Sequence, residues 1–333
     1  MNRFLTRNFR DRRLQALAAA LLLLAMTFVV STVTLTRNMV DVLAVVDITG
    51  SMNVRDYKRP DGTPTSRLET AKAALRDLVT RLPCGSRLAL GIFTERRPFL
   101  LFTPIEVCRD FSPLDGALDA LDWRMAWEGD SRISAGFYRA IEMAAGLGTD
   151  LIFISDGHEA PPPPSTGGAG FEGKPGAVRG LIVGAGGYGL SQIPKFDDRG
   201  RETGFYGETD VQQENRFGPP PADAESRPGY EPRNAPFGAT AAHGTEHLSS
   251  VREPYLRKLA GETGLAYAHL EGPGGLFAPV MQAATPRPMP GSFDLRPLLG
   301  SAALALLLAV YAVPPLRARL RRRGTPAQRW KKA

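Results

Sequence analysis

The stretch DVLAVVDITGSMNVRDY, Asp41 to Tyr57, ends a run of apolar strand residues on one carboxylate and two hydroxyls at alternate positions: Asp47, Thr49 and Ser51. A strand that leaves a core usually ends in Gly, Asn or Pro. This one ends in oxygen donors of the kind that hard divalent cations prefer. Two more donors lie far along the chain. WEGDSRISAGFYRAI places Ser131 just ahead of a helical pattern, and LIFISDG places Asp156 at the end of another buried strand. Adjacent parallel strands bring their carboxyl ends together, so Asp47 and Asp156 are expected to converge while loop hydroxyls close the site.

Nothing comparable points to catalysis. The four histidines are scattered, and only His158, beside Asp156, falls near these donors. No nucleophile and base stand at a working spacing, so binding is expected and an enzyme is not. Gly184, Gly186 and Gly189 match GxGxxG after a strand, but LSQIPKFDDRG follows with Pro194 and no helical stripe. A dinucleotide fingerprint needs a helix to start there, so the glycines read as a turn. Trp123 and Trp127, in DWRMAWEGD directly ahead of Ser131, are candidate contacts for a protein partner, as are His158 and Glu159.

The elements that position these residues alternate between β-rich apolar runs and helical periodicity, which predicts an α/β fold with a mostly parallel sheet and helices on both faces. Strands are expected at Val42 to Val46, Leu151 to Ile154, Gly180 to Val183 and Leu265 to His269. Helices are expected at Ser66 to Leu82, Leu114 to Leu121, Ile133 to Ala145, Glu253 to Glu262 and Gly275 to Ala284. Between Cys84 and Cys108 lies a hairpin with its turn at Glu95 to Pro98, which supplies one antiparallel edge strand and brings the two cysteines nearly opposite each other. A disulfide is expected there. Loop insertions at 157–176 and 191–245 follow the carboxyl ends of strands, and no internal repeat is visible.

The chain has 333 residues and is 43% hydrophobic. Leu14 to Leu35 and Pro297 to Leu316 carry no charge over 22 and 20 residues, each long enough to cross a hydrocarbon core about 30 Å thick. Five Arg lie in residues 1–13, and six Arg with two Lys in residues 317–333. Two spans with both tails cytoplasmic follow from this asymmetry, and residues 36–296 are then expected in the periplasm of a bacterial inner membrane. Between the tails stand 28 basic residues against 33 acids, a net charge of −5, so the high isoelectric point belongs to the tails and nucleic acid is not an expected partner.

The donor pattern resembles the metal-ion-dependent adhesion site of von Willebrand factor A domains, Asp-x-Ser-x-Ser followed by a distant Thr and a distant Asp. The resemblance covers roughly Asp41 to Ala284 and implies a doubly wound, Rossmann-like sheet. It also implies a Mg²⁺, Ca²⁺ or Mn²⁺ ion at Asp47, Thr49, Ser51, Ser131 and Asp156, with an open position for a partner's acidic side chain. Thr49 stands where the pattern has Ser, and Ser131 where it has Thr; both keep the oxygen. Asp156→Ala is expected to spare the strand before it.

The segments DITGSMNVRDY, GIFTERRPFLLF, LDWRMAWEGDSRI, FEGKPGAVRGLIVG and HLSSVREPYLRKLAGETGLAYAHL resemble the MxaL family of accessory proteins encoded beside periplasmic methanol dehydrogenase. That resemblance implies a part in maturation of the dehydrogenase, including calcium supply, with the dehydrogenase or other Mxa proteins as partners. Bat-type membrane proteins share the same spans and domain and imply a general envelope role instead.

Overall fold

The computed structural model describes residues 12–30, 32–126, 130–163, 170–213, 220–233, 236–238 and 244–312. The chain divides into two units, residues 38–289 and the two ends, 1–37 with 290–333.

The larger unit is built on a six-stranded sheet. Its strands are β1 (Asp41–Asp47), β2 (Arg87–Thr94), β3 (Arg97–Glu106), β4 (Asp150–Ser155), β5 (Gly180–Gly184) and β6 (Ala266–His269), in the order β6-β5-β4-β1-β2-β3. All neighbours are parallel except β2 with β3. The helices are α1 (Arg67–Arg81), α2 (Phe111–Asp119), α3 (Ile133–Leu147), α4 (Glu253–Thr263) and α5 (Phe277–Ala283). Successive strand residues point to opposite faces, and β1 is buried on both. Val42, Ala44 and Val46 join one apolar cluster with Leu68, Leu75 and Leu114. Leu43 and Val45 join the other with Phe137, Ala140 and Leu256. This two-sided burial is why β1 and β4 read as unbroken apolar runs rather than alternating ones.

Caps fix where the helices begin and end. Ser66 accepts the Glu69 N–H at 3.1 Å and starts α1. Gly148 and Gly264, both left-handed, end α3 and α4.

The β2–β3 hairpin turns more tightly than the sequence suggests. Thr94 pairs with Arg97, so the turn is Glu95-Arg96, with Glu95 at φ 60°, and Pro98 lies within β3. An edge strand tolerates proline because one row of its backbone groups has no ladder to complete. Register shifts between Leu88 and Gly91 then slide the strands, so that Arg87 faces Glu106 and the cysteines still meet. Cys84 and Cys108 form a disulfide with Cα atoms 5.3 Å apart, as expected.

In the smaller unit, helices Arg12–Val29 and Arg296–Tyr311 pack together; strands Thr32–Met39 and Arg287–Asp294 pair into a ribbon. The first apolar segment is therefore not helical throughout: its end, TVTL, is strand, as its β-branched residues favour. Among the described residues no helix is long and apolar enough to cross a membrane.

Candidate metal centre

Four segments build the site at the carboxyl edge of the sheet. Asp47 ends β1, and the short 3-10 helix Gly50–Asn53 follows it. Asp156 follows β4, the strand next to β1. Ser131 stands ahead of α3 and is pinned from two sides. Its N–H donates to the Ala160 carbonyl at 2.6 Å and the Ala160 N–H returns the bond at 2.8 Å, while the Arg132 N–H donates to the Glu95 carbonyl at 2.6 Å.

Asp47 is fully buried. Its Oδ1 accepts from the Thr49 N–H at 2.9 Å and the Thr49 hydroxyl at 2.7 Å, and its Oδ2 accepts from the Ser155 hydroxyl at 2.7 Å. Asp156, equally buried, is held quite differently. Its Oδ1 accepts from the His158 N–H at 2.9 Å, and its Oδ2 accepts from Arg67 Nη1 at 2.6 Å and from the Ser249 hydroxyl at 2.9 Å. Arg67, the first residue of α1, has no exposed surface. Its Nη2 also reaches Asp56 Oδ2 at 2.7 Å, and Asp56 in turn accepts the Gly187 N–H at 2.7 Å. A buried chain Asp56–Arg67–Asp156 thus ties the β1 loop, α1, the β4 end and the glycine loop together.

Electrostatics separates the two carboxylates. Burial, followed by the nearby charge of Asp156, pushes the Asp47 carboxyl up to about 7. Burial acts on Asp156 in the same direction, but Arg67 outweighs it and, with His158, holds that carboxyl below its ordinary value. A cation beside Asp47 would reverse the first effect, since a positive neighbour favours the charged form of a carboxylate.

Thr49, Ser51 and Ser131 line a cleft of about 490 Å³, together with Trp123, Asp130, His158, Tyr206, Asp210 and Glu246. Among the described residues the buried hydroxyls of Ser51 and Ser131 meet no hydrogen-bond geometry, although Ser51 stands near enough to Asp156 to help hold that carboxyl down. Buried hydroxyls are nearly always partnered, and these two share one cleft with Thr49, whose own hydroxyl is committed to Asp47. Oxygen donors left open in this way, with an unneutralised carboxylate behind them, fit a hard divalent cation. Asp47, Thr49, Ser51 and Ser131 are the residues placed to hold it, and Asp156 stands behind them.

The other expected contacts lie in different settings. Trp123 lines the cleft and stacks on Phe196 at 4.4 Å, whereas Trp127 lies outside the described residues. His158 lines the cleft from a buried position and contacts Glu246 at 3.2 Å. Glu159 faces inward. It accepts the Ser134 N–H at the start of α3 at 3.0 Å and the Tyr255 hydroxyl, so its carboxylate is engaged within the fold.

The glycines of the GxGxxG match form a turn with no helix after it. Their spacing serves packing: at Gly186, φ 121°, a Cβ would stand 2.5 Å from Arg67 Nε. Arg67, Asp56, Ser155 and Ser249 carry no local signal of their role. Arg67 reads as an ordinary first-turn helix residue after an N-cap serine.

Residues 42–158 match the von Willebrand factor type A domain. The sheet continues beyond the matched stretch through β5 and β6. No curated protein matches the sequence. Several solved structures resemble it at low identity. A serine-substituted aerotolerance-related membrane protein from Bacteroides fragilis shares 16% identity at a TM-score of 0.45, over 73% of this chain and 97% of that one. An uncharacterised membrane-spanning protein from Vibrio fischeri shares 19% identity at 0.28, over 69% and 89%. A von Willebrand factor type A protein from Catenulispora acidiphila shares 18% identity at 0.25, over 37% and 28%.

Proposed function

We propose that this chain is a membrane-tethered binding protein of the bacterial envelope, whose grip on a protein partner depends on a divalent cation at Asp47, Thr49, Ser51 and Ser131. The observation that carries this reading is the pair of buried hydroxyls of Ser51 and Ser131, without hydrogen-bond geometry among the described residues, in one cleft with Asp47 behind it. When bound, the cation supplies an electrophilic position for an acidic group. The chain's own residues keep that position strong, because three of the four donors are neutral hydroxyls and Arg67 already neutralises Asp156. An acidic side chain of the partner then completes the coordination. The arrangement serves binding rather than bond breaking, and Mg²⁺, Ca²⁺ and Mn²⁺ all suit its oxygen donors.

Membrane tethering, with both basic tails in the cytoplasm, belongs to the same proposal. Beyond the tails' charge, it is supported by the apolar surface of the terminal helices. Phe28 is 89% exposed and Leu21 70%, with Leu22, Val29, Leu298 and Leu304 exposed as well. Apolar surface gathered in this way marks contact with lipid or with another protein.

The general reading, a Bat-type envelope protein, needs only the domain and the tether. The narrower reading, maturation of periplasmic methanol dehydrogenase with calcium insertion, rests on the segments that resemble the MxaL family. Capture from solubilised membranes with and without chelator separates them. Recovery of a quinoprotein dehydrogenase or its accessory proteins supports the narrower reading, and recovery of general envelope proteins supports the broader one. Capture unchanged by chelator overturns both.

A further inference from the structure

The 3-10 helix Gly50–Asn53 turns Ser51 into the metal cleft and Asn53 into a second, smaller cleft of about 310 Å³. Trp123 lines both, so its ring, stacked on Phe196, is the wall between them. Asn53 is 7% exposed, and its amide Nδ2 makes no hydrogen bond among the described residues. A buried amide that finds no partner within the fold costs stability unless a ligand satisfies it.

The charges around this second cleft are unbalanced in one direction. Its acids are already paired: Glu69 with Lys72 at 2.7 Å and Asp122 with Arg124 at 2.9 Å. Arg55 is likewise committed to Glu202. Arg59 is exposed and lines the same cleft, and its charge also acts on Asp61. A solvent-facing guanidinium and a buried amide donor without a partner, beside an aromatic side chain, match a carboxylate better than a neutral group.

We propose that the cleft at Asn53 and Arg59 is a carboxylate subsite, and that the partner is an acidic peptide segment straddling Trp123. One of its carboxylates lies at the cation and a second beside Asn53 and Arg59. The first contact rests on the metal-dependent reading given above; the second does not require it. The double contact makes the site selective for spaced acidic residues rather than for a single one.

The test uses the full chain in detergent and fluorescent peptides bearing either one Glu or two Glu separated by one to five glycines, with Mg²⁺ or with EDTA. One two-Glu spacing is expected to bind about tenfold more tightly than the one-Glu peptide, the scale of one charge-assisted contact. Arg59→Ala and Asn53→Ala should each remove that advantage, and Arg59→Ala should leave one-Glu binding and Mg²⁺ binding unchanged. The subsite is overturned if no spacing exceeds the one-Glu peptide, if all spacings gain equally, or if the gain survives both substitutions. One-Glu binding that is indifferent to EDTA overturns the metal reading instead, and the Arg59 and Asn53 effects still report on the subsite.

Discussion

Arg67 Nη1 stands 2.6 Å from Asp156 Oδ2, with neither side chain exposed to solvent. The acidic end of β4 therefore belongs to a buried ion pair as well as to the metal centre. Asp156→Ala, expected from the sequence to spare the strand before it, carries a stability cost in this geometry. Removing one partner of a buried pair typically costs about 3–5 kcal/mol. Asp56 remains on Arg67, so we expect the lower end of that range in denaturant unfolding. A loss below about 1 kcal/mol would show that Asp56 alone satisfies the guanidinium.

Ser51→Ala and Ser131→Ala are the cleaner probes of metal binding. Ser131→Ala removes a hydroxyl without hydrogen-bond geometry among the described residues, so thermal stability without metal should hold or rise slightly, whereas Ser51→Ala also removes a hydroxyl that acts on Asp156. Divalent cation affinity, read by titration calorimetry, should fall about tenfold or more in each. Thr49→Ser keeps the oxygen and its bond to Asp47, and should bind metal as the parent does. Unchanged affinity in both alanine variants would remove these hydroxyls from the donor set.

Gly186→Ala introduces a Cβ against Arg67 at a positive φ. Backbone strain and displacement of a buried guanidinium act together, and a loss of about 2 kcal/mol or more is expected. Gly189→Ala in the same loop meets no atom within 4 Å, and its unfolding midpoint should stay near the parent value. Equal effects at the two positions would mean that Arg67 has no special claim on Gly186.

Glu106 carries the acid dependence of the disulfide corner. Burial would raise its carboxyl, but the N–H groups of Gly85, Arg109 and Cys108 hold it below its ordinary value. A depressed carboxyl contributes stability that is present above its unfolded value, near 4.5, and is lost as pH falls through the folded one. The melting temperature of the parent should therefore exceed that of Glu106→Gln at pH 6.5, and the gap should narrow as pH falls below 4.5. A gap that persists unchanged would exclude the charge as its source.

Reducing Cys84–Cys108 opens a cross-link between residues 24 apart. The chain-entropy account puts the loss at about 3 kcal/mol. Unfolding midpoints with and without reductant, compared with the Cys84→Ser, Cys108→Ser double variant, measure it. Thiol labelling of the denatured, unreduced chain should find no free cysteine.

What was legible in the sequence was local. β1 and β4 could be read because strands buried on both faces are written as unbroken apolar runs. α1 could be read because Leu68, Ala71, Leu75, Leu78 and Leu82 recur at helical spacing. The donors Asp47, Thr49 and Ser51 lie within five residues and show their pattern directly, and the paired cysteines follow from a hairpin whose two strands are neighbours in the chain. Even there a two-residue turn and a slipped register replaced the expected turn at Glu95 to Pro98, because the bulges that shift β2 against β3 have no signature of their own.

The remainder depended on positions brought together only by folding. Arg67 and Asp156 are 89 residues apart and Arg67 and Ser249 are 182 apart, and an arginine after an N-cap gives no sign that its side chain points into the core. Glu159 and His158 read as loop residues, yet both are buried, because α3, α4 and the loop before Ser249 close over them. Residue types and short spacings specify which oxygens are available to a cation. Which of them stay open, and which are already claimed by a buried cation of the protein itself, is decided by the packing of segments that the chain order keeps far apart.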